Sequence, residues 1–336
     1  MRRLVGVLSV VAVLVLGAAC TNDKVRINEA SVNVDRGSRV LVAERGEAFR
    51  SATGQVTLHI GGRVKVTAGS ATVSLHDGST LELRTGSNLE LGTPVVLVAR
   101  DLLVTSGIQP LKVAAAGSQF LVEGVAKLSR DLAASAGSYR GTVKISSAGR
   151  SLTVPALRQA EVASLSVLPA APDAFDYDAA DPWDRRFLGA AIDLGEELEA
   201  KSEGFTRSLR PGEGRTPGFY RLLIPALEDE DAFGAELFAE DREPGDVLVG
   251  ATIAVKGRLG SFAERWQSVF TFREQGARWG LVAMDQQVND LQGVVGSVDL
   301  AIGSYQFEFA QPALAAAAPA PAPPVETPPA PAPAQT

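Results

Sequence analysis

GGRVKVTAGSATVSLHDGSTLELRTGSNLEL, residues 61–91, alternates apolar and polar side chains between short turn-forming clusters. Val64 and Val66 share one face, as do Val73 and Leu75, Leu81 and Leu83, and Leu89 and Leu91. Period-two alternation over about four to eight residues marks a half-buried strand, because successive side chains point to opposite faces. AGS, HDGS and RTGS separate the runs and supply the residues that tight turns need. QVTLHI, residues 55–60, adds a preceding run, with Val56, Leu58 and Ile60 opposite Thr57 and His59. Strand centres recur near 58, 65, 74, 82 and 90, a beat of about eight residues. Such spacing suits either tight antiparallel connections or the coils of a small β-roll. The pattern continues through PVVLVA, LLVT, QFLVE, TVKIS, SLTVP and EVASLSV, so residues 32–168 read as an all-β domain.

The N-terminus has a different character. Arg2 and Arg3 precede an apolar run from Leu4 to Leu16 and a small-residue patch, Gly17-Ala18-Ala19, after which stands Cys20, the only cysteine in 336 residues. This is the layout of a secretory signal peptide, with an apolar core shorter than the roughly 20 residues of a membrane span. The junction resembles the lipobox of bacterial lipoproteins, although Gly17 stands where an aliphatic residue is normal. That resemblance implies removal of residues 1–19 and a diacylglycerol thioether, with further acylation such as palmitate, on Cys20. An ordinary signal peptide with an incidental cysteine and an uncleaved anchor are the other readings. A lone cysteine cannot close an internal disulfide, and lipidation accounts for both its solitude and its position. Residues 20–31 then form the lipidated N-terminus and a linker, and the chain is expected at the extracytoplasmic face of the cell membrane.

Loss of Arg2 and Arg3 with the signal moves the formal net charge from −7 to −9. An acidic chain of this kind excludes nucleic acid as an expected partner, since phosphate binding needs clustered Lys and Arg. Residues 312–336 are an Ala/Pro tract that cannot build a core and reads as a disordered, extended tail.

Residues 36–166 resemble the FecR-type extracytoplasmic domain. Asp77-Gly78-Ser79 with the leucines after it matches that family's core, and Gly141-Thr142-Val143 followed by LTVPALRQAEV resembles its close. Leu157-Arg158 before Gln159 departs from it where glycine is usual. The resemblance implies a binding or scaffolding module and brings no catalytic residues. Direct sigma-factor control is not expected, because a signal ending at Cys20 stands where those proteins carry an anti-sigma segment and a membrane helix.

After a linker at 169–180, DPWDRRFLGAAIDLGEELEAKSEGF opens a second domain, 181–311. Asp181 suits an N-cap, Pro182 the first helical position and Asp184 the first turn. Phe187, Leu188, Ala191, Ile192, Leu194, Gly195 and Leu198 form one apolar stripe, and Gly204 is a plausible stop. Thr216-Pro217 starts a second helix that Pro225 shortens. DVLVGATIAVKG, WQSVFTFRE, RWGLVAMD and VDLAIGSYQFEF read as strands, with 274–277 as a hairpin turn. The expected fold is thus mainly β: a FecR-like domain, then an α+β domain with helices preceding an antiparallel sheet. DPWDRRFLG, GRTPGFYRLL, SFAERW and RWGLVAMD in this order resemble FecR-domain-containing lipoproteins of actinobacterial type, a family without an assigned function.

Candidate chemistry is sparse. Asp181, Asp184, Asp193, Glu196 and Glu197 lie along the first helix, and paired carboxylates can serve acid–base catalysis. A cap and a solvated face partnered by Arg185 and Arg186 is the plainer reading. The sequence holds no HExxH, GxSxG or phosphate-binding glycine loop, so no enzyme and no cofactor is expected. Its two histidines, His59 and His76, form no cluster, so no metal is expected either. Trp266, Phe270 and Phe272 share one face of an expected strand, and Trp279, Tyr305, Phe307 and Phe309 stand on its neighbours. These rings serve either as core or as a platform for sugar rings. Arg210 and Arg215, in a glycine-rich loop, could clamp a carboxylate or phosphate of a wall polymer. Arg210, Arg215, Trp266 and Trp279 are therefore the candidate ligand-binding residues of a lipid-anchored protein whose partner is an envelope protein or a wall polymer.

Overall fold

The computed structural model describes residues 28–163, 167–234, 237–238 and 241–310. The signal segment, Cys20 and the Ala/Pro tail lie outside the described residues.

Every run of alternating residues between 55 and 91 forms a strand. The first eight strands are β1 (Glu29–Val34), β2 (Arg39–Ala43), β3 (Arg50–Ala52), β4 (Gln55–His59), β5 (Arg63–Ala68), β6 (Ser70–Leu75), β7 (Thr80–Arg84) and β8 (Asn88–Glu90). Seven more follow: β9 (Val95–Thr105), β10 (Leu111–Ala115), β11 (Ser118–Arg130), β12 (Ala134–Ser147), β13 (Arg150–Pro155), β14 (Arg158–Val162) and β15 (Asp173–Ala174). Pairing is antiparallel except between β9 and β10. β9 belongs to two arms of the sheet. Its first half pairs with β8, leading on to β5, β2 and β3, while its second half pairs with β7, leading on to β6, β1 and β4. Arg100, at φ 60°, lies between the halves. The arms enclose one apolar core in which Val32, Leu58, Val73 and Leu81 of one arm meet Val42, Val64, Val66 and Leu89 of the other.

The glycine positions in the turns and strands have local physical causes. Gly78 turns at φ 85°, and the Asp77 carboxylate accepts the Ser79 N–H and hydroxyl, both at 2.9 Å. Gly124 and Gly141 face each other across β11 and β12, where a Cβ on Gly141 would lie 2.0 Å from the Glu123 carbonyl oxygen. Only glycine permits that approach.

The second half is helical, with α1 (Pro182–Ser208), α2 (Pro217–Leu223), a 3₁₀ turn Pro225–Leu227, α3 (Pro244–Lys256), α4 (Phe262–Glu274), α5 (Trp279–Asp285), α6 (Leu291–Tyr305) and a π turn Gln306–Ala310. The starts at Asp181-Pro182 and Thr216-Pro217 are as expected, while α1 runs one turn beyond Gly204 so that Phe205 enters the core. The expected antiparallel sheet is absent among the described residues, and its four strands are α3, α4, α5 and α6. α3 misleads because it is buried almost all round: Val247, Leu248, Val249, Ala251, Ile253 and Ala254 leave no amphipathic stripe, and β-branched residues carry strand propensity. The turn at 274–277 joins α4 to α5 rather than two strands. Close helix crossings explain the small residues, since a Cβ on Gly280 of α5 would lie 1.7 Å from the Ala191 carbonyl oxygen of α1.

Residues 169–180 do not stand apart from the two layers. β15 pairs with β14, and Phe175 and Tyr177 are buried in the helical core together with Leu103, Tyr139 and Leu157 from the sheet.

Candidate functional site: an ionic junction between sheet and helix

A cluster of ionised groups lies where the N-terminus of α1 meets β7, β9, β11 and β12. Asp181 caps α1 by accepting the Trp183 N–H at 2.8 Å, which leaves its second oxygen directed at the sheet. That oxygen accepts from Lys127 Nζ at 2.7 Å and from Arg84 Nη1 at 2.7 Å. Asp184, one turn on and fully buried, lies 3.4 Å from Lys127 Nζ through both oxygens. It also accepts the Tyr139 hydroxyl, and the Asp178 N–H at 2.8 Å. Arg84 donates through Nε to Asp101 at 2.9 Å, and its guanidinium lies 4.5 Å from the Trp183 ring centre. Asp101 is held in turn by the Ser129 hydroxyl.

Burial opposes ionisation of Asp181, but the hydrogen bonds from Lys127, Arg84 and the Trp183 N–H outweigh it and bring its pKa down to about 2. Burial, reinforced by the bond to Asp184, pushes the Tyr139 hydroxyl well above the usual tyrosine range, so it remains a donor at neutral pH. Desolvation alone would lower the pKa of Arg84, but the carboxylates of Asp181 and Asp101 raise it. Asp181 and Arg84 are thus each held in their charged forms by the other, across the two layers. The bonds of the cluster run between the sheet and α1.

Further contacts widen the junction. Arg186 of α1 meets both oxygens of Glu82 at 2.9 Å, and Phe187 stacks on Tyr139 at 4.7 Å. Arg158 donates to Asp285 at the end of α5 at 2.8 Å and lies 3.5 Å from the Phe272 ring centre. Leu157 adopts φ 62°, the left-handed region that favours glycine, with its side chain in the helical core. Leu157-Arg158 is thus a docking point for the helices. Beside the junction opens a cleft of about 420 Å³, lined by Asp35, Ser70, Thr72, Glu82, Trp183 and Arg186 among others.

The residues singled out in the sequence divide. Asp181 and Asp184 belong to the junction, whereas Asp193 pairs with Arg185 and Glu197 with Lys201 at the surface. Trp266 and Trp279 are buried in the helical core, where no ring face is open to a sugar; Trp266 also donates to the Leu237 carbonyl at 2.9 Å. They lie on helices, so the shared strand face does not exist, and buried rings at helical spacing are core. Arg210 and Arg215 are exposed on a loop held down by Tyr220, which donates to the Gly214 carbonyl at 2.9 Å, and by Tyr305, which donates to Glu213 at 2.7 Å. Arg210 itself donates to the Phe309 carbonyl at 3.2 Å. The structure brings none of these four residues to the junction. Among the described residues no group of three or more His, Cys, Asp or Glu is placed to hold a metal, and no helix is long and apolar enough to cross a membrane. Arg84, Asp101, Lys127 and Tyr139 carried no sequence signal, because their partners are up to 97 residues away.

No known family profile matches the chain, and no curated protein matches it. Two crystal structures from Parabacteroides distasonis, each provisionally described as an anti-sigma factor, are weakly similar. One shares 15% identity over 36% of this chain and 63% of its own, with a TM-score of 0.31. The other shares 14% identity over 41% of this chain and 72% of its own, with a TM-score of 0.30. Scores of this size do not establish a shared fold.

Proposed function

We propose that this chain is a non-enzymatic cell-envelope protein, anchored by a lipid on Cys20, in which a FecR-like sheet and a helical layer act together as a binding or scaffolding module in envelope sensing. The observation that carries the reading is the ionic junction. The carboxylates that could have served acid–base chemistry, Asp181 and Asp184, are bound by Lys127, Arg84 and Tyr139 across the two layers. A body joined in this way presents one fixed surface to a partner.

A wall-polymer reading gains support at a different place from the arginine loop. The cleft beside Trp183 offers the hydroxyls of Ser70 and Thr72 and the charges of Asp35, Glu82 and Arg186, a polar lining suited to a saccharide. The two readings separate experimentally. Photo-crosslinking in intact envelopes from positions around the cleft yields a discrete protein adduct if the partner is a protein. Co-sedimentation of the mature chain with purified sacculi, lost in Glu82→Ala/Thr72→Ala, identifies a wall-binding protein. Absence of both a protein adduct and co-sedimentation would refute the binding function.

A further inference from the structure

The described chain enters the sheet at an end that carries exposed apolar side chains. Ile108 is 89% exposed and Ile60 is 42% exposed. Ile60 borders a cleft of about 270 Å³ lined by Leu75, Pro94, Pro110 and Leu111, with Glu29, His76, Asp77 and Lys112 as its polar members. The patch is one place in the fold: the Ile60 N–H bonds the Asn28 carbonyl at 3.1 Å, and the Ile108 N–H bonds the Asp77 carbonyl at 3.2 Å. Arg84, which binds α1, lies at the far end of β7 from the Asp77 turn. The apolar end therefore points away from the helical layer.

Seven residues separate Cys20 from Asn28. Even fully extended, that stretch reaches at most about 28 Å. A lipid on Cys20 thus holds this end of the sheet close to the bilayer, at an effective concentration on the order of millimolar, where weak contacts suffice. A large apolar side chain as exposed as Ile108 can bury its surface in a lipid interface held this close. We propose that the sheet end bearing Ile60 and Ile108 rests on the membrane, with Ile108 entering the boundary between headgroups and acyl chains. This proposal rests on the reading of Cys20 as the anchor. It orients the helical layer and the cleft beside Trp183 away from the lipid, towards envelope partners.

The test uses the full mature chain, residues 20–336, without its native lipid. The Cys20 thiol is coupled to maleimide-bearing phosphatidylethanolamine in phosphatidylglycerol vesicles with brominated acyl chains. Tryptophan is introduced by Ile108→Trp, Ile60→Trp or, as a control, Leu132→Trp. Leu132 is 100% exposed and follows Arg130, the partner of Arg100, at the opposite end of the strands. The expected result is a blue shift and loss of emission by bromine quenching at 108, a smaller loss at 60 and none at 132. Emission at 108 and 60 equal to that in solution would overturn the proposal, as would equal quenching at all three sites. Because the tether is installed chemically, a failure here leaves the anchoring of Cys20 in cells intact. Conversely, a failure of lipidation in cells would not produce the solution-like spectra.

Discussion

Lys127→Met removes the cation shared by two carboxylates while keeping most of the side chain's length. In the wild type Lys127 Nζ lies 2.7 Å from Asp181 and 3.4 Å from Asp184, and the ammonium is largely covered. After the substitution Asp181 retains Arg84, but Asp184 is left as a buried carboxylate facing only the Tyr139 hydroxyl and the Asp178 N–H. Breaking one side of a buried ion pair costs about 3–5 kcal/mol, most of it from the charge left behind. Urea unfolding at pH 7, followed by fluorescence, should therefore show an unfolding free energy lowered by that amount, read as a lower midpoint at unchanged m; Trp183 lies against Arg84 and reports on the junction. Adding Asp184→Asn to Lys127→Met removes the stranded charge and should recover about 1–2 kcal/mol, a coupling typical of contacting groups. A loss under about 0.5 kcal/mol at pH 7 would show the cluster to behave as a solvated surface pair rather than a buried junction.

Asp181 itself predicts acid sensitivity. Its pKa falls from an ordinary 3.8 to about 2 in the folded chain, so it contributes stability above pH 4 that is lost as pH drops through 2. The contribution is on the order of 2 kcal/mol, and Asp181→Asn, which keeps the cap, should flatten that part of the urea-midpoint profile. Gly280→Ala places a methyl against the Ala191 carbonyl and should cost about 3 kcal/mol, whereas Gly296→Ala, with nothing within 4 Å, should gain roughly 0.5–1 kcal/mol; thermal midpoints separate them. Ser261→Ala removes the capping box with Glu264 at the start of α4 and should cost about 1 kcal/mol in the same assay.

The β half was legible because its code is local. Alternating Val and Leu fix which face is buried, and Asp77-Gly78-Ser79 or Gly141 fix where the chain turns. α1 was legible for the same reason, with Asp181, Pro182 and one clear apolar stripe. The later helices were hidden by their own burial: α3 has apolar residues on nearly every side, and Phe270 and Phe272 read equally as a strand face. The signals that outweigh this were present in Pro244 at a helix start and in the Ser261–Glu264 box. The junction was half legible. Asp181 and Asp184 stood out at the start of α1, but their partners Arg84 and Lys127 sit in strands as ordinary outward-facing cations. Only the docking of α1 onto β7 and β11 gives them a purpose.

The claim that Cys20 anchors this chain is tested most directly by intact-mass spectrometry of the protein extracted from membranes of its native host. The expected species begins at Cys20 and carries a diacylglycerol thioether, with palmitate or a similar acyl chain, and the Cys20→Ala variant should lack this mass and leave the membrane fraction. A free thiol at Cys20, or a chain retaining residues 1–19, would contradict it.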